Sequence, residues 1–302
     1  MKYVVTGGAG FVGSNLVDQL IMDGHEVHVI DNFCSSTQDY CNKKAHYHDL
    51  DVSDVNLNSS FLKIMKNADG VFHMAALINV QESIENPFKY EINNTLGTLN
   101  MLTCSSRCKV KRFVYSSSSA VYGNTDNLPC KESHSIDPIS PYATQKYYGE
   151  LLCKMFSEVY NLETISLRYF NIYGERQKIT GAYAPVIGIF ISQILNNQPM
   201  TIRGDGEQRR DFIYVGDVVS ANILSMSPKK VGFGQVMNIG TGKNYSVNEI
   251  ADMIDGDKVN VNPVTEPRES LACTNKAKEL LNWEPKNHIR DWIKIYKEDL
   301  GI

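Results

Sequence analysis

The stretch VVTGGAGFVGS, residues 4–14, decides the fold, because its three spaced glycines lie between an apolar run and an amphipathic segment. Gly7, Gly10 and Gly13 lack a Cβ, and this lets the backbone N–H groups at the start of a helix approach a pyrophosphate. The spacing alone is also compatible with a plain tight turn between a strand and a helix. The prediction of a dinucleotide site therefore depends on the side chain that ends the following strand.

That side chain is Asp31, which ends the next apolar run, Glu26 to Ile30. Its distance along the chain from Gly13 is close to the spacing at which a carboxylate binds both hydroxyls of an adenosine ribose. The same carboxylate repels a 2′-phosphate, and no arginine lies beside it in the sequence. The sequence therefore predicts NAD as the cofactor rather than NADP.

Strand-like and helix-like segments alternate from the N-terminus to about position 170. The predicted strands cover residues 3–6, 26–30, 70–76, 112–118 and 163–170, and the predicted helices include residues 92–108 and 142–160. This order predicts an α/β fold, a doubly wound parallel sheet of the Rossmann type with a smaller, mixed α/β lobe. We expect the cofactor domain in residues 1–170 and 213–240, and the ligand-binding lobe in residues 171–212 and 241–302.

Composition excludes several classes of protein. Of the 302 residues, 42% are hydrophobic and 21% are charged, as in ordinary globular proteins. The net charge of −4 provides no basic surface for nucleic acid and no polybasic patch for a membrane. The longest apolar stretches are too short to cross a bilayer. Met1 leads directly into KYVVTGG, so we expect no signal peptide and a cytoplasmic protein.

The cysteine and histidine patterns predict no metal site. The seven cysteines are odd in number and include no C-x-x-C pair, which favours reduced thiols. In HYHD, residues 46–49, two histidines share one face of a strand without a third ligand nearby, so we predict a polar strand edge. His73, inside VFHMAA, is predicted to be a buried structural histidine.

A second decisive pattern combines YSSSSAVYG, residues 115–123, with SPYATQK, residues 140–146. Tyr142 and Lys146 lie one helical turn apart on the same face. A free tyrosine has a pKa of about 10, too high for a base at neutral pH. We expect the ammonium and a bound nicotinamide to lower it.

Ser118 ends a predicted strand at the edge where this fold binds its ligands. Its hydroxyl would lie between a substrate alcohol and the tyrosine phenol. Seen alone, the serine cluster also fits a polar loop, and the tyrosine–lysine pair also fits a surface helix. Together with the glycine loop, they predict that Ser118, Tyr142 and Lys146 are catalytic.

With these residues the chain resembles the extended short-chain dehydrogenase/reductases of the NAD-dependent epimerase/dehydratase family. Within that family it is similar to the UDP-glucose and UDP-N-acetylglucosamine 4-epimerases. The resemblance extends from residue 1 to about residue 285, and also rests on DNFCSS, HMAALINVQES, LRYFNIYG and GDGEQRRDFIYVGDV. It implies an isomerase of carbohydrate metabolism whose smaller lobe binds a nucleotide-sugar.

The resemblance implies NAD contacts along the carboxyl edge of the sheet. The implied residues are Gly7, Gly10, Phe11, Val12, Gly13, Asp31, Asn32, Cys34, Ser35, Ser36, Asp51, Val52, Ala75, Ala76, Leu77, Asn93, Ser116, Tyr142, Lys146 and Phe170.

For the substrate, the resemblance implies contacts from Ser118, Asn171, Arg210, Glu266, Arg268 and Ser270. One arginine of the family pattern is replaced here by Pro263. Glu266 would then bind the uridine ribose, and Arg268 the diphosphate. Ser270 falls beside the C2 substituent of the sugar, where a small side chain would leave room for an N-acetyl group.

The implied activity is NAD-dependent 4-epimerisation of a UDP-hexose through a transient 4-keto intermediate. The substrates implied are UDP-glucose/UDP-galactose, and UDP-GlcNAc/UDP-GalNAc as a second pair. Related dehydratases and decarboxylases carry a carboxylate just after the serine strand, whereas this chain has Ser118-Ser119-Ala120. The alternatives are another NAD-dependent nucleotide-sugar epimerase or dehydratase and a non-catalytic NAD-binding regulatory protein, although relatives of the latter kind usually lose the tyrosine or lysine. The helices at 92–108 and 142–160 imply a homodimer by the same resemblance.

Overall fold

The computed structural model describes residues 1–179, 184–263 and 267–302. Its strands are β1 (Lys2–Thr6), β2 (Glu26–Asp31), β3 (His46–Asp49), β4 (Gly70–His73), β5 (Arg112–Ser118), β6 (Glu163–Tyr169), β7 (Asn171–Tyr173), β8 (Met200–Arg203), β9 (Arg209–Tyr214), β10 (Phe233–Ile239), β11 (Asn244–Ser246) and β12 (Lys258–Val261). Its helices are α1 (Phe11–Met22), α2 (Asn58–Met65), α3 (Val80–Glu85), α4 (Pro87–Tyr90), α5 (Gly97–Arg107), α6 (Pro141–Tyr160), α7 (Val186–Leu195), α8 (Val215–Ser225), α9 (Val247–Ile254), α10 (Asn275–Leu281) and α11 (Ile289–Leu300).

The large sheet has seven parallel strands in the order β10-β6-β5-β4-β1-β2-β3. Side chains of α1, α8 and α10 share one apolar cluster with the strands. Side chains of α2, α5 and α6 share a second one. Helices on both faces confirm the predicted doubly wound fold, and the strand order reverses between β1 and β4. That reversal opens a crevice at the carboxyl ends of the strands.

The predicted segments appear with shifted ends. β5 covers residues 112–118 as predicted, and α6 begins one residue early, at Pro141, because the Ser140 side chain caps it. β4 ends at His73 rather than at residue 76. The predicted helix at 92–108 is two elements, a π-helical turn at Glu91–Leu96 followed by α5. Such turns within helices are frequent at functional sites.

The smaller lobe is mixed, as predicted. In it β7 and β11 flank β9, parallel and antiparallel to it respectively, and β8 pairs with β12. Helices α7, α9 and α11 bury Phe190, Ile250 and Trp292 in a separate apolar cluster. The C-terminal part of the chain divides differently from the expected boundaries, because Leu281 and Trp283 pack in the cluster of the large sheet.

The predicted polar strand edge is β3, the edge strand of the large sheet. The His28 ring stacks on those of His46 and His48, at centroid distances of 4.8 and 5.4 Å. Within residues 1–179, 184–263 and 267–302, no group of three or more acidic, histidine or cysteine side chains has a geometry that would hold a metal ion. All seven cysteines are free. Over the same ranges, no helix has the length and apolar character needed to span a membrane.

Candidate active site

A cavity of about 910 Å³ opens at the carboxyl ends of the central strands. One end, the cofactor end, is formed by the glycine loop, the end of β2 and the segment after β4. The other, the substrate end, is formed by residues after β6, by β9 and by residues 267–270. The ends of β5 and α6 lie between them.

The glycine loop leaves no space for side chains. Gly7 has a φ of +70°, and a Cβ on it would lie 2.7 Å from the Ala75 nitrogen. A Cβ on Gly13 would lie 2.1 Å from the Gly7 carbonyl oxygen. Helix α1 begins after Gly10, which supplies no capping side chain, so its first N–H groups are available to an anion. These features fit the pyrophosphate of a dinucleotide.

Asp31 holds the two loops that flank the cofactor end. One carboxylate oxygen accepts from the Ala9 N–H at 2.9 Å, and the other accepts from the Phe33 N–H and the Ser36 hydroxyl, both at 2.9 Å. The residue is 8% exposed and lies on the cavity wall. Its carboxylate is therefore held in place by the backbone before any ribose hydroxyl reaches it.

A buried chain of hydrogen bonds supports the segment 74–77. Thr6 Oγ1 accepts from the Ala75 N–H at 3.2 Å and donates to His73 Nδ1 at 2.7 Å, and His73 Nε2 in turn contacts Thr98 Oγ1 at 3.0 Å. Asn94, in the π-helical turn, accepts from the Leu77 N–H at 2.8 Å and donates to its carbonyl at 2.9 Å. Burial lowers the pKa of His73 to about 3, with the Lys146 charge acting in the same direction. His73 is thus a buried, neutral structural residue, as predicted.

The predicted catalytic side chains meet at the end of β5. Lys146 is 5% exposed, donates to the Ser116 carbonyl at 2.7 Å, and lies 5.9 Å from the centroid of the Tyr142 ring. Ser118 accepts from the Ala120 N–H at 3.2 Å and hydrogen-bonds with the Tyr142 phenol. Ser118, Tyr142 and Lys146 all line the cavity.

The expected lowering of the tyrosine pKa is not produced by the protein groups alone. Burial raises the pKa of Tyr142 above its ordinary value, and the hydrogen bond with Ser118 only partly offsets this. Burial also lowers the pKa of Lys146 to about 8. The Lys146 ammonium is directed at a carbonyl of β5 rather than at the phenol. That prediction was therefore wrong for the chain without its cofactor.

Most of the predicted cofactor contacts lie on one continuous wall. Of the predicted set, all but Asp51 line the cavity. Asp51 instead accepts from the Asn32 side chain at 2.9 Å and from Ser53, so it orders a residue of the wall without forming part of it. A sequence motif marks such a residue but does not show whether its side chain faces the ligand.

The predicted substrate contacts divide into two groups. Asn171, Arg210 and Ser270 line the cavity. Glu266 lies outside the described residues. Arg268 does not line the cavity: its guanidinium binds both oxygens of Asp205 at 2.8 Å, and its side chain is 63% exposed. The prediction that Arg268 reaches the diphosphate is therefore not met in this structure.

The cavity also has walls that the sequence did not indicate. Gln177 is 5% exposed and its Nε2 has no hydrogen-bond partner. Lys178 and Pro185 follow it on the substrate end, and Glu82 and Lys89, 2.7 Å apart, lie near the segment 77–80. These residues belong to irregular or short elements, so neither strand nor helix periodicity could have placed them.

Comparison with known proteins is consistent with this site. The NAD dependent epimerase/dehydratase family matches residues 3–240. The chain belongs to this family. Its members are NAD-dependent enzymes of nucleotide-sugar chemistry, so NAD is the cofactor that the cofactor end accepts.

Individual relatives resemble the chain over nearly its whole length. A putative UDP-glucose 4-epimerase of Methanocaldococcus jannaschii is 40% identical over 298 residues, covering 96% of this chain and 95% of the relative. The structure of UDP-glucose 4-epimerase from Thermotoga maritima with UDP-glucose matches with a TM-score of 0.92 and 36% identity, over 99% of this chain and 100% of that one. UDP-N-acetylglucosamine 4-epimerase from Methanobrevibacter ruminantium M1, in complex with UDP-N-acetylmuramic acid, gives a TM-score of 0.91 and 37% identity, over 99% and 98%.

Proposed function

We propose that the protein catalyses NAD-dependent 4-epimerisation of a UDP-hexose, with UDP-glucose and UDP-galactose as the first substrate pair. The supporting observation is that Ser118, Tyr142 and Lys146 lie between the cofactor end and the substrate end of one cavity. When bound, NAD supplies a site that accepts a hydride from C4 of the sugar and returns it.

The side chains of the protein move and hold the proton. Tyr142 takes the proton of the sugar O4 as C4 is oxidised, and returns it after the 4-keto sugar has turned over, so it is base and then acid. Ser118 donates a hydrogen bond that favours the phenolate. Lys146, positioned by the Ser116 carbonyl, keeps a positive charge near the ring. Binding of the distant nucleotide positions the sugar.

Elimination is not supported, because it requires a further acid near the sugar. The turn after β5, Ser119–Tyr122, carries no carboxylate. Within the described part of the wall, the carboxylates are Asp31, Glu82 and Glu269. Each already binds a donor: Ala9 N–H, the Lys89 ammonium and the Asn244 amide respectively. This arrangement favours a reversible oxidation and reduction at C4 without loss of water or carbon dioxide.

A product assay tests the proposal. Purified protein is incubated separately with UDP-glucose, UDP-galactose, UDP-GlcNAc and UDP-GalNAc, and the products are separated by chromatography. We expect each pair to reach the same mixture from both sides. Tyr142→Phe should lower kcat by about 10²- to 10⁴-fold, the usual contribution of a general acid–base, while NAD stays bound. A 4-keto-6-deoxy or pentose product, or an unchanged rate in Tyr142→Phe, would exclude this function.

We extend the proposal to N-acetylated sugars because of Ser270. Its hydroxyl is buried on the cavity wall and has no hydrogen-bond partner, so an adjacent N-acetyl group would find both space and a donor. Ser270→Tyr should abolish turnover of UDP-GlcNAc and leave that of UDP-glucose within a few-fold, whereas Ser270→Ala should retain both. Retained N-acetyl turnover in Ser270→Tyr would refute this assignment.

We also propose a homodimer. Phe88 and Ile92 are 77% and 37% exposed, and Tyr148 and Leu151 on the neighbouring α6 are 44% and 45% exposed. Apolar side chains on adjacent helices are typical of a surface that binds a second copy. Light scattering should give a dimer mass for the protein and a monomer mass for Leu151→Asp combined with Phe88→Asp. A monomeric wild-type protein would contradict the proposal.

A further inference from the structure

A buried ion pair lies directly behind the catalytic side chains. Arg168 on β6 and Glu150 on α6 are each 3% exposed. The guanidinium donates to both carboxylate oxygens, from Nε at 2.8 Å and from Nη2 at 2.7 Å. Neither side chain lines the cavity, and the mechanism proposed above uses neither of them.

The pair holds the backbone on both sides of Ser118. Glu150 Oε1 also accepts from the Ser117 hydroxyl at 2.5 Å. Arg168 Nη1 donates to the Tyr122 hydroxyl at 2.8 Å. Ser117 immediately precedes Ser118, and Tyr122 ends the 3-10 turn that follows it. The residue that carries the catalytic hydroxyl is therefore held from both sides by one ion pair.

The same pair fixes the helix that carries the base. Glu150 lies one helical turn beyond Lys146 and two turns beyond Tyr142 in α6, so the three side chains lie along one face of the helix. The Tyr122 hydroxyl continues the network by donating to Asn238 Oδ1 at 2.7 Å, and Asn238 Nδ2 donates to the Cys130 carbonyl at 2.9 Å. The network thus joins α6, β5, β6 and β10.

Stability alone does not explain this arrangement. Two charges removed from water lose their hydration, and apolar side chains of similar volume usually stabilise a fold at least as well as a buried ion pair. What a bidentate pair does provide is a defined distance and orientation between the two elements that carry it. A misplacement of about 1 Å near the reacting groups can lower a rate by about 10²-fold.

We propose that Glu150 and Arg168 are positioning residues that set the distance between the Ser118 hydroxyl and the Tyr142 phenol. This inference rests on the proposed function, because it assigns the pair to the same reaction. It differs in that it makes a statement about two side chains that holds whichever sugar is the substrate.

The chain provides a matched control at the opposite end of the same two strands. Arg112 begins β5 and Glu163 begins β6, and the two are register partners. Arg112 Nε and Nη2 both donate to Glu163 Oε2, at 2.9 and 2.6 Å. The whole length of β5 separates this pair from Ser118, about 20 Å at the rise of a parallel strand. A change there affects the sheet without reaching the active site.

The first experiment reads the contact between Ser118 and Tyr142 without any substrate. Tyrosine is labelled with ¹³C at Cζ in the NAD-loaded protein, and the Tyr142 signal, identified by its loss in Tyr142→Phe, is followed against pH. Since the hydrogen bond with Ser118 lowers the pKa of Tyr142, Ser118→Ala should raise it. We expect Glu150→Gln to raise it by a similar amount and Glu163→Gln to leave it unchanged. An unchanged value in Glu150→Gln, or an equal rise in both variants, would overturn the inference.

The second experiment separates positioning from stability. With an active sugar pair, Glu150→Gln should lower kcat by about 10- to 100-fold, with KM within three-fold and NAD content as in the wild type. The double variant Glu150→Leu/Arg168→Met should recover the melting temperature but not kcat. Recovery of kcat together with stability would show a merely structural pair. If the wild-type protein epimerises no UDP-sugar, the proposed function fails, and the tyrosine titration still decides the positioning role.

Discussion

The two ends of the cavity are built in different ways. At the cofactor end, the polar side chains follow β1, β2 and β4 and are bound to one another; Asp31, His73 and Asn94 are all at most 8% exposed. At the substrate end, the charged side chains come from β9 and from irregular segments. Arg268 there pairs with Asp205 on the surface, and Arg210, half-buried, donates to the Arg209 carbonyl at 2.9 Å.

This contrast shows which part of the geometry exists before ligands bind. Hydrogen bonds that are fully made and buried leave the cofactor end a single arrangement, so a dinucleotide meets a preformed site. Charged side chains that reach into solvent keep several arrangements of similar energy. A family of enzymes can therefore change its sugar at the substrate end without rebuilding the cofactor end.

The strongest way to break this comparison is to change the glycine loop. A Cβ on Gly13 would lie 2.1 Å from the Gly7 carbonyl oxygen and 2.8 Å from the Gly8 Cα, both backbone atoms. Gly13→Ala must therefore displace the loop, and we expect the purified protein to contain no NAD and to melt at a lower temperature. NAD content is measured by absorbance after denaturation.

Gly24→Ala is the control for this change. Gly24 also has a positive φ, +79°, but no atom lies within 4 Å of the position that a Cβ on it would take. Its substitution should cost about 1 kcal/mol of stability for the left-handed backbone and leave NAD bound in full. Full NAD occupancy in Gly13→Ala would show that the loop is less tightly preformed than the structure indicates.

A smaller effect is expected at the substrate end. Arg210 lines the cavity and Arg268 does not. If Arg210 binds the diphosphate, Arg210→Met removes charge-assisted hydrogen bonds of about 1.5–3 kcal/mol. The KM for the UDP-sugar should then rise by about 10- to 100-fold while kcat and NAD content are unchanged. Arg268→Met should change KM by less than about two-fold, and equal effects in steady-state kinetics would contradict the division drawn here.

The smallest effect sharpens the comparison through pH. The pKa of His73 is lowered to about 3 by burial, below the value of about 6.5 for an unfolded chain. Its contribution to stability is therefore complete above about pH 6.5 and is lost as the pH falls, by about 1.4 kcal/mol per unit. Urea unfolding between pH 8 and pH 5 should show a shallower decline in His73→Asn than in the wild-type protein. Identical slopes would show that His73 is not held neutral.

The cofactor end was largely predictable because its signals are local. Gly7 and Asp31 belong to one strand-helix-strand unit, and Tyr142 and Lys146 are related by a single helical turn. What these patterns predict is which side chains share a face or an edge. They were sufficient to bring together Ser118 and Tyr142, which belong to separate segments of the chain.

The substrate end and the electrostatics were less predictable, for physical reasons. Arg268 follows no periodic element, and its pairing with the distant Asp205 has no signature in the sequence. The raised pKa of Tyr142 follows from burial by distant segments, which a motif does not report. The ion pair of Glu150 and Arg168 joins a helix to a strand, so each residue alone resembled an ordinary surface charge.

The position of β10 has a consequence for synthesis of the protein. This edge strand of the large sheet begins only at Phe233, although its neighbour β6 ends at Tyr169, and β7, β8 and β9 are made in between. A ribosome must therefore translate beyond residue 239 before Asn238 can reach Tyr122. A nascent chain that has only completed β6 lacks this support, so we infer that firm capture of the dinucleotide comes late in translation.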